Sequence, residues 1–292
     1  MSTQSLVMHN EEKELPFQMN YIPEFAQIKC EVELNETPER RKQSIQELKK
    51  LLANDKSTEK ICFHNDLLVQ YLRHSKYNTN KALNQLRNLI VLRNKEEKMF
   101  QPIPDEYFST KPSAKFLIVL PKRSPDGCTM VLFQIGKWDP KELALEDLKK
   151  MILVTFLQIL RDPMTQINGF KIIHDFAGTS LEQIKYCTPQ NLYLFYYISL
   201  YCIPGRYKEI HFINETPVLR FLWTIIKKFL SDKIRNRVFF HSRTEELLNY
   251  FPKSVLPVQY GGEILDMHET KFVETANEEQ KKNTVEGQSN FF

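Results

Sequence analysis

The stretch CIPGRYKEIHFINETP, Cys202 to Pro217, decides how this chain is read. Pro204 and Gly205 mark a loop, Ile210, Phe212 and Ile213 form a short apolar strand, and Asn214-Glu215-Thr216-Pro217 offers a capping threonine before a first-turn proline. A strand that runs straight into a helix start is the unit from which parallel α/β sheets are built. Arg206 and Lys208 stand at the mouth of that strand, yet no glycine-rich phosphate loop lies beside them.

Working outward, the same alternation continues on both sides. Strand 238–241 follows helix 218–230, and strand 169–176 precedes a helix start in which Ser180 and Gln183 have capping-box spacing. Helices are expected over 143–160 and 189–203, and strands 116–120 and 130–135 are joined through Pro125-Asp126-Gly127, a hairpin turn. Before residue 100 every signal is helical: Thr37-Pro38 opens one helix, Asn65-Asp66 a second, and Asn78 or Thr79 a third. The expectation is a flexible tail over 1–22, a helical bundle over 23–100, an α/β domain over 101–266 and a second flexible tail over 267–292.

Composition narrows the function. The 292 residues are 42% hydrophobic, enough for a sizeable core. The longest uncharged apolar run, Leu192 to Pro204, has 13 residues, short of the roughly 20 that a membrane span needs. A leader pattern is not visible, and five cysteines with no CxxC pairing suit a reducing cytoplasm. A net charge of +4 is too small for a general polyanion binder, so no nucleic acid is expected. Eight basic and three acidic residues nevertheless crowd into 206–237, where Phe, Leu, Ile and Trp are also dense. Helix 218–230 is apolar at 218, 221, 222, 225, 226, 229 and 230, wider than one core stripe requires. Periodicity alone favours a helix buried on most sides; the alternative is a lid over an apolar cavity, with basic neighbours suited to anionic headgroups.

Catalytic signatures are missing: the chain has no GxSxG elbow, strand-following GxGxxG, Walker loop or HExxH helix. His174 shares a strand face with Phe170, Ile172 and Phe176, without a visible nucleophile or partner, and reads as a core or pocket histidine. No enzyme activity, metal or cofactor is expected.

LLVQYLRHSKYNTNKALNQLRNLIVLR, DGCTMVLFQIGKWDP, INGFKIIHDFAGTS, IPGRYKEIHFINETP, IKKFLSDKIRNRVFFH and LPVQYGGEI occur in this order and resemble successive segments of the CRAL-TRIO lipid-binding family over about 25–266. The resemblance is closest to its tocopherol transfer protein and cellular retinaldehyde-binding protein branch. It implies a helical N-terminal domain and an α/β/α domain with a mostly parallel sheet, enclosing a hydrophobic cavity closed by a gate helix. Arg206, Lys208, Lys233 and Arg237 match a phosphoinositide-binding collar, and Arg73 matches a further basic position. The cavity lining implied is Ile152, Phe156, Phe170, His174, Phe195 and Ile198, with Ser199, Ile203, Tyr207 and Ile210 beyond them and Phe221 and Ile225 on the gate. Ile152 and Phe156 replace two serines of the tocopherol-binding member and His174 replaces a phenylalanine, which makes His174 the expected polar contact. The function implied is a cytoplasmic carrier that exchanges a tocopherol, retinoid, other isoprenoid or phospholipid at phosphoinositide-bearing membranes. A lipid sensor that binds a protein partner, and a hydrolase or oxidoreductase on the same scaffold, are the other readings; the partner's identity is unknown.

Overall fold

The computed structural model describes residues 22–104, 112–265 and 278. The tails expected over 1–22 and 267–292 therefore lie outside the described residues, apart from Ile22 and Glu278.

Four helices come first: α1 (Glu24–Leu34), α2 (Pro38–Ala53), α3 (Asn65–His74) and α4 (Thr79–Lys95). Thr37 caps α2 by accepting from the Arg40 amide at 3.2 Å, and Asn78 caps α4 by accepting from the Lys81 amide at 3.0 Å. Helix α1 carries none of these signals: its N-cap is Pro23, with no side-chain cap, and the sequence reading missed it. Leu67, Leu68, Tyr71 and Leu72 of α3 and Ala82, Leu86 and Leu89 of α4 face one core. That core does not stop at residue 100, because the same buried cluster takes in Phe133, Phe156, Phe170 and Ile203. Tyr71 Oη donates to the Cys202 carbonyl at 2.9 Å, and Gln85 Nε2 donates to the Ile203 carbonyl at 2.7 Å, so both buried polar tips are satisfied across the junction.

The second part is built on strands β1 (Leu117–Val119), β2 (Thr129–Gln134), β3 (Phe170–Asp175), β4 (Tyr207–Ile213) and β5 (Val238–Phe240), adjacent in chain order. Strand β1 runs antiparallel to β2 through the expected hairpin, whose turn places Gly127 at φ +83°; β2 to β5 are parallel. Gly169 lets β3 begin against β4: a Cβ there would meet the Arg206 carbonyl oxygen at 2.0 Å.

Each parallel crossover supplies helices to one face of the sheet: α5 (Leu145–Ile159), α6 (Pro163–Asn168), α7 (Leu181–Ile184), α8 (Pro189–Tyr197), α9 (Pro217–Ile226) and α10 (Asp232–Arg235). Helix α8 widens into one π-helical turn over Ile198–Cys202. The other face departs from the expected α/β/α layering. It is covered by 3-10 turns at Thr244–Asn249, Lys253–Val255 and Val258–Tyr260, since Pro252, Pro257 and the Gly261-Gly262 pair interrupt any longer helix. Leu247, Phe251, Leu256 and Tyr260 pack there on Met130, Leu132, Ile173 and Ile213. A polar seam runs through the same face, where His211 Nδ1 lies 2.8 Å from His241 Nε2 and Lys171 Nζ 3.0 Å from Glu209.

Candidate functional site: an apolar cavity with a basic rim

The period-2 alternation of β3 sends Ile172, His174 and Phe176 to the helical side of the sheet, while Lys171 and Asp175 join the opposite seam. Facing them, α5, α8 and α9 stand off far enough to leave a cavity of about 440 Å³, within the range of small-molecule sites. Of the residues read from the sequence, Ile152, Phe156, His174, Phe195, Ile198, Ser199, Ile203, Tyr207 and Ile210 border this space.

Three do not. Phe170 is fully buried behind the wall, its ring 5.1 Å from Phe156 and 5.9 Å from Tyr207. Phe221 and Ile225 point to solvent, 63% and 43% exposed. The cavity side of α9 is instead Leu219, Leu222, Trp223 and Ile226, one residue out of phase with that reading. Thr216 and Pro217 set this phase by starting the helix, the threonine accepting from the Leu219 amide at 3.4 Å. Because both stripes are apolar, composition could not choose between them. No residue of α9 is buried, so the helix expected to be enclosed on most sides is a cover, apolar toward the cavity and apolar toward solvent. Val218 (41%), in the first turn of the helix, and Phe229 (69%), just beyond its end, extend the exposed stripe.

His174 is the polar group deepest in the β3 wall. Its ring stacks between Phe133 (4.8 Å) and Phe212 (5.1 Å), nearly parallel to both. Burial alone pushes its pKa down to about 4, so the imidazole is neutral at pH 7, with one nitrogen donating and the other accepting. It retains some accessible surface because it borders the cavity.

The basic residues gather at the N-terminal ends of β4 and β5. Arg206 and Lys208 share Glu33 of α1, at 3.5 and 3.8 Å. Arg237 donates to the Tyr207 carbonyl. Lys233 is exposed; partial burial, then Arg237, Arg206, Lys76 and Lys81 lower its pKa. His74 is held down at about 4 by burial and then by Arg206 and Lys233. Lys76 and Lys81 thus join a cation cluster that the sequence reading had drawn without them, with the neutral imidazole of His74 beside it; the αL turn at Lys76 and Tyr77, between α3 and α4, brings them there. Arg73 does not join it. Only 3% exposed, it forms a double hydrogen bond to Glu36 (2.8 Å each) and a third to Gln166 (2.6 Å), an internal tie between α3 and α6.

A family model described as CRAL/TRIO domain matches residues 114–262, just over half of the chain. The chain belongs to the CRAL/TRIO domain family. Alpha-tocopherol transfer protein-like of Homo sapiens is 29% identical over 235 residues, 80% of this chain and 69% of that protein. Clavesin-1 of Rattus norvegicus is 28% identical over 241 residues, 80% of this chain and 67% of that one. The crystal structure of Sfh5 superposes with a TM-score of 0.52 across 86% of this chain and 99% of its own, at 14% identity, a likeness of fold. The CRAL/TRIO span holds β1 to β5, the cavity and its covering helix, whereas His74 and Lys81 come from the helices before it and Lys76 from the turn between them. Among the described residues of this CRAL/TRIO chain, no helix is long and apolar enough to cross a membrane, and no group of three or more metal-ligating side chains gathers.

Proposed function

We propose that this protein is a carrier that encloses a hydrophobic molecule in the cavity and exchanges it while docked on an anionic, phosphoinositide-bearing membrane. The observation that carries the reading is α9, which lines the cavity with one apolar stripe and offers a second to solvent. A helix greasy on both sides is costly on a protein that meets only water, and suits one whose cover moves into a lipid interface. The name of the human relative, alpha-tocopherol transfer protein-like, supports a hydrophobic cargo.

Magnitudes favour exchange at the membrane over diffusion of free lipid. Desorbing a 16-carbon chain into water costs about 0.8 kcal/mol per methylene, or roughly 13 kcal/mol, close to nine decades in an equilibrium. A cavity opening directly onto the bilayer avoids that step. Arg206, Lys208, Lys233 and Arg237 contribute on the order of 1 kcal/mol each near an anionic surface, which gives docking that salt reverses. In this reading Glu33 is a resident counterion that lipid phosphates displace, and His174 is the cargo's polar contact.

The experiment is transfer of a fluorescent tocopherol or retinoid between vesicles. The carrier reading expects faster delivery to acceptors containing phosphatidylinositol bisphosphate than to phosphatidylcholine alone. Tight binding of the probe with no catalysed transfer would overturn it in favour of a sensor.

A further inference from the structure

We propose that the cavity has a polar end, formed by Thr179 and Glu215 beyond the C-terminal ends of β3 and β4, and that this end selects a cargo carrying a free hydroxyl group. The inference rests on the carrier reading and deepens it by naming the chemical class of the cargo.

Strands β3 and β4 are parallel neighbours, so the loops leaving them lie side by side. The Phe176 amide donates to the Ile213 carbonyl at 3.1 Å, and Asn214 Nδ2 donates to Asp175 at 2.8 Å, locking the two exits together. Thr179 follows the first exit and Glu215 the second, and both border the cavity. Thr179 Oγ1 and Glu215 Oε2 are buried, and neither has a hydrogen-bond partner among the described residues. Two orphaned, buried polar atoms on residues that border one apolar space are a cost that a folded chain ordinarily removes.

Three other polar groups on the wall are already occupied. Gln183 donates to the Trp138 carbonyl at 2.7 Å and accepts from Ser180 at 2.8 Å; Asn191 donates to the Tyr186 carbonyl at 2.9 Å; Lys149 is paired with Glu146 at 2.9 Å. Glu215 is half-occupied. Arg220 of α9 donates through Nε to Oε1 at 3.0 Å, which fixes the carboxylate and leaves Oε2 without a donor.

The chemistry of the pair defines the cargo. An ionised carboxylate only accepts, so the group that satisfies Oε2 must donate; a threonine hydroxyl can do either. A cargo hydroxyl donates to Glu215 and accepts from Thr179, whereas an ether, ester or aldehyde can only accept and leaves Oε2 unpaired. Discrimination by a site with a buried unpaired acceptor is steep, because the analogue that cannot donate strands that acceptor without water. The apolar end, around Ile152, Phe156 and Ile203, takes the hydrocarbon.

The test uses parinaryl alcohol and its methyl ether, polyene-chain probes excited by energy transfer from Trp138 and Trp223, the two tryptophans of the chain, both on the cavity wall. The unmodified protein is expected to bind the alcohol at least about tenfold more tightly than the ether. Glu215→Gln, whose amide can donate to either probe, is expected to narrow that ratio, whereas Thr179→Val, which removes a donor that both probe oxygens accept from, is expected to weaken both probes alike and leave the ratio unchanged. The ether serves as the folding control within each variant. Equal affinity of the two probes for the unmodified protein, or a ratio that Glu215→Gln does not change, would overturn the polar end while leaving the carrier reading in place. Failure of both probes to bind would overturn the carrier reading, and the inference with it.

Discussion

Replacing Phe221 and Phe229 together by alanine separates the solvent-facing stripe of the covering helix from its cavity-facing stripe. The two rings are 63% and 69% exposed, so in the free protein their removal costs little; surface substitutions of this kind stay within about 0.5 kcal/mol each. In a lipid interface the same rings lose their exposure to water. Full burial of a phenylalanine side chain is worth about 1.5–3 kcal/mol, and with roughly two thirds of each ring still to be buried the pair contributes about 2–4 kcal/mol to docking. That corresponds to a loss of roughly thirtyfold to several hundredfold in vesicle affinity. Flotation with phosphatidylcholine vesicles in high salt, where charge attraction is screened, measures it, and a thermal melt of the free protein is the control. Unchanged vesicle affinity would refute the reasoning, as would a melting temperature lowered by many degrees, which would mean that the rings are packed rather than offered to solvent.

Three further outcomes follow from the same geometry. Lys233→Ala with Lys81→Ala removes two cations from the cluster and is expected to weaken binding to anionic vesicles by about 2 kcal/mol, roughly thirtyfold, at low salt but not at high salt; flotation at two ionic strengths reads it. His174 has its pKa lowered from 6.5 to about 4, so between those values the unfolded chain holds a proton that the folded chain excludes. Stability therefore falls as pH drops through that window, by about 2 kcal/mol from this group between pH 7 and pH 5, and His174→Phe should remove that share of the pH dependence in urea titrations. Arg73→Ala leaves the buried carboxylate of Glu36 with the looser Arg41 partner at 3.9 Å and should destabilise the fold by about 3 kcal/mol in the same titrations, while at a temperature where the variant is folded its affinity for anionic vesicles stays unchanged.

Much of the architecture was legible because local signals agreed with one another. Thr37-Pro38, Asn78, the Ser180 and Gln183 pair and Thr216-Pro217 each start a helix where the sequence places it, and Gly127 turns the hairpin. Helix α1 was missed because Phe25, Ile28 and Val32 face solvent opposite Ala26, Cys30 and Leu34, which blurs the single stripe that periodicity detects. The far face was misread for a different reason: prolines and paired glycines near the end of the domain permit only short turns there. Nine cavity positions were reachable from motif order, but the phase of α9 was not, since Phe221 and Leu222 are equally apolar and only packing distinguishes them. Arg73 looked like a surface cation because its partners, Glu36 and Gln166, are distant in sequence. The orphaned oxygens of Thr179 and Glu215 become visible only after β3 and β4 are set side by side.

The most direct measurement is a native mass of the gently purified protein, with organic extraction and mass spectrometry of whatever accompanies it. The carrier account predicts one hydrophobic molecule per chain, released on extraction and carrying a free hydroxyl. A chain mass with no adduct, together with no uptake of offered retinoid, tocopherol, sterol or phosphoinositide, would contradict it.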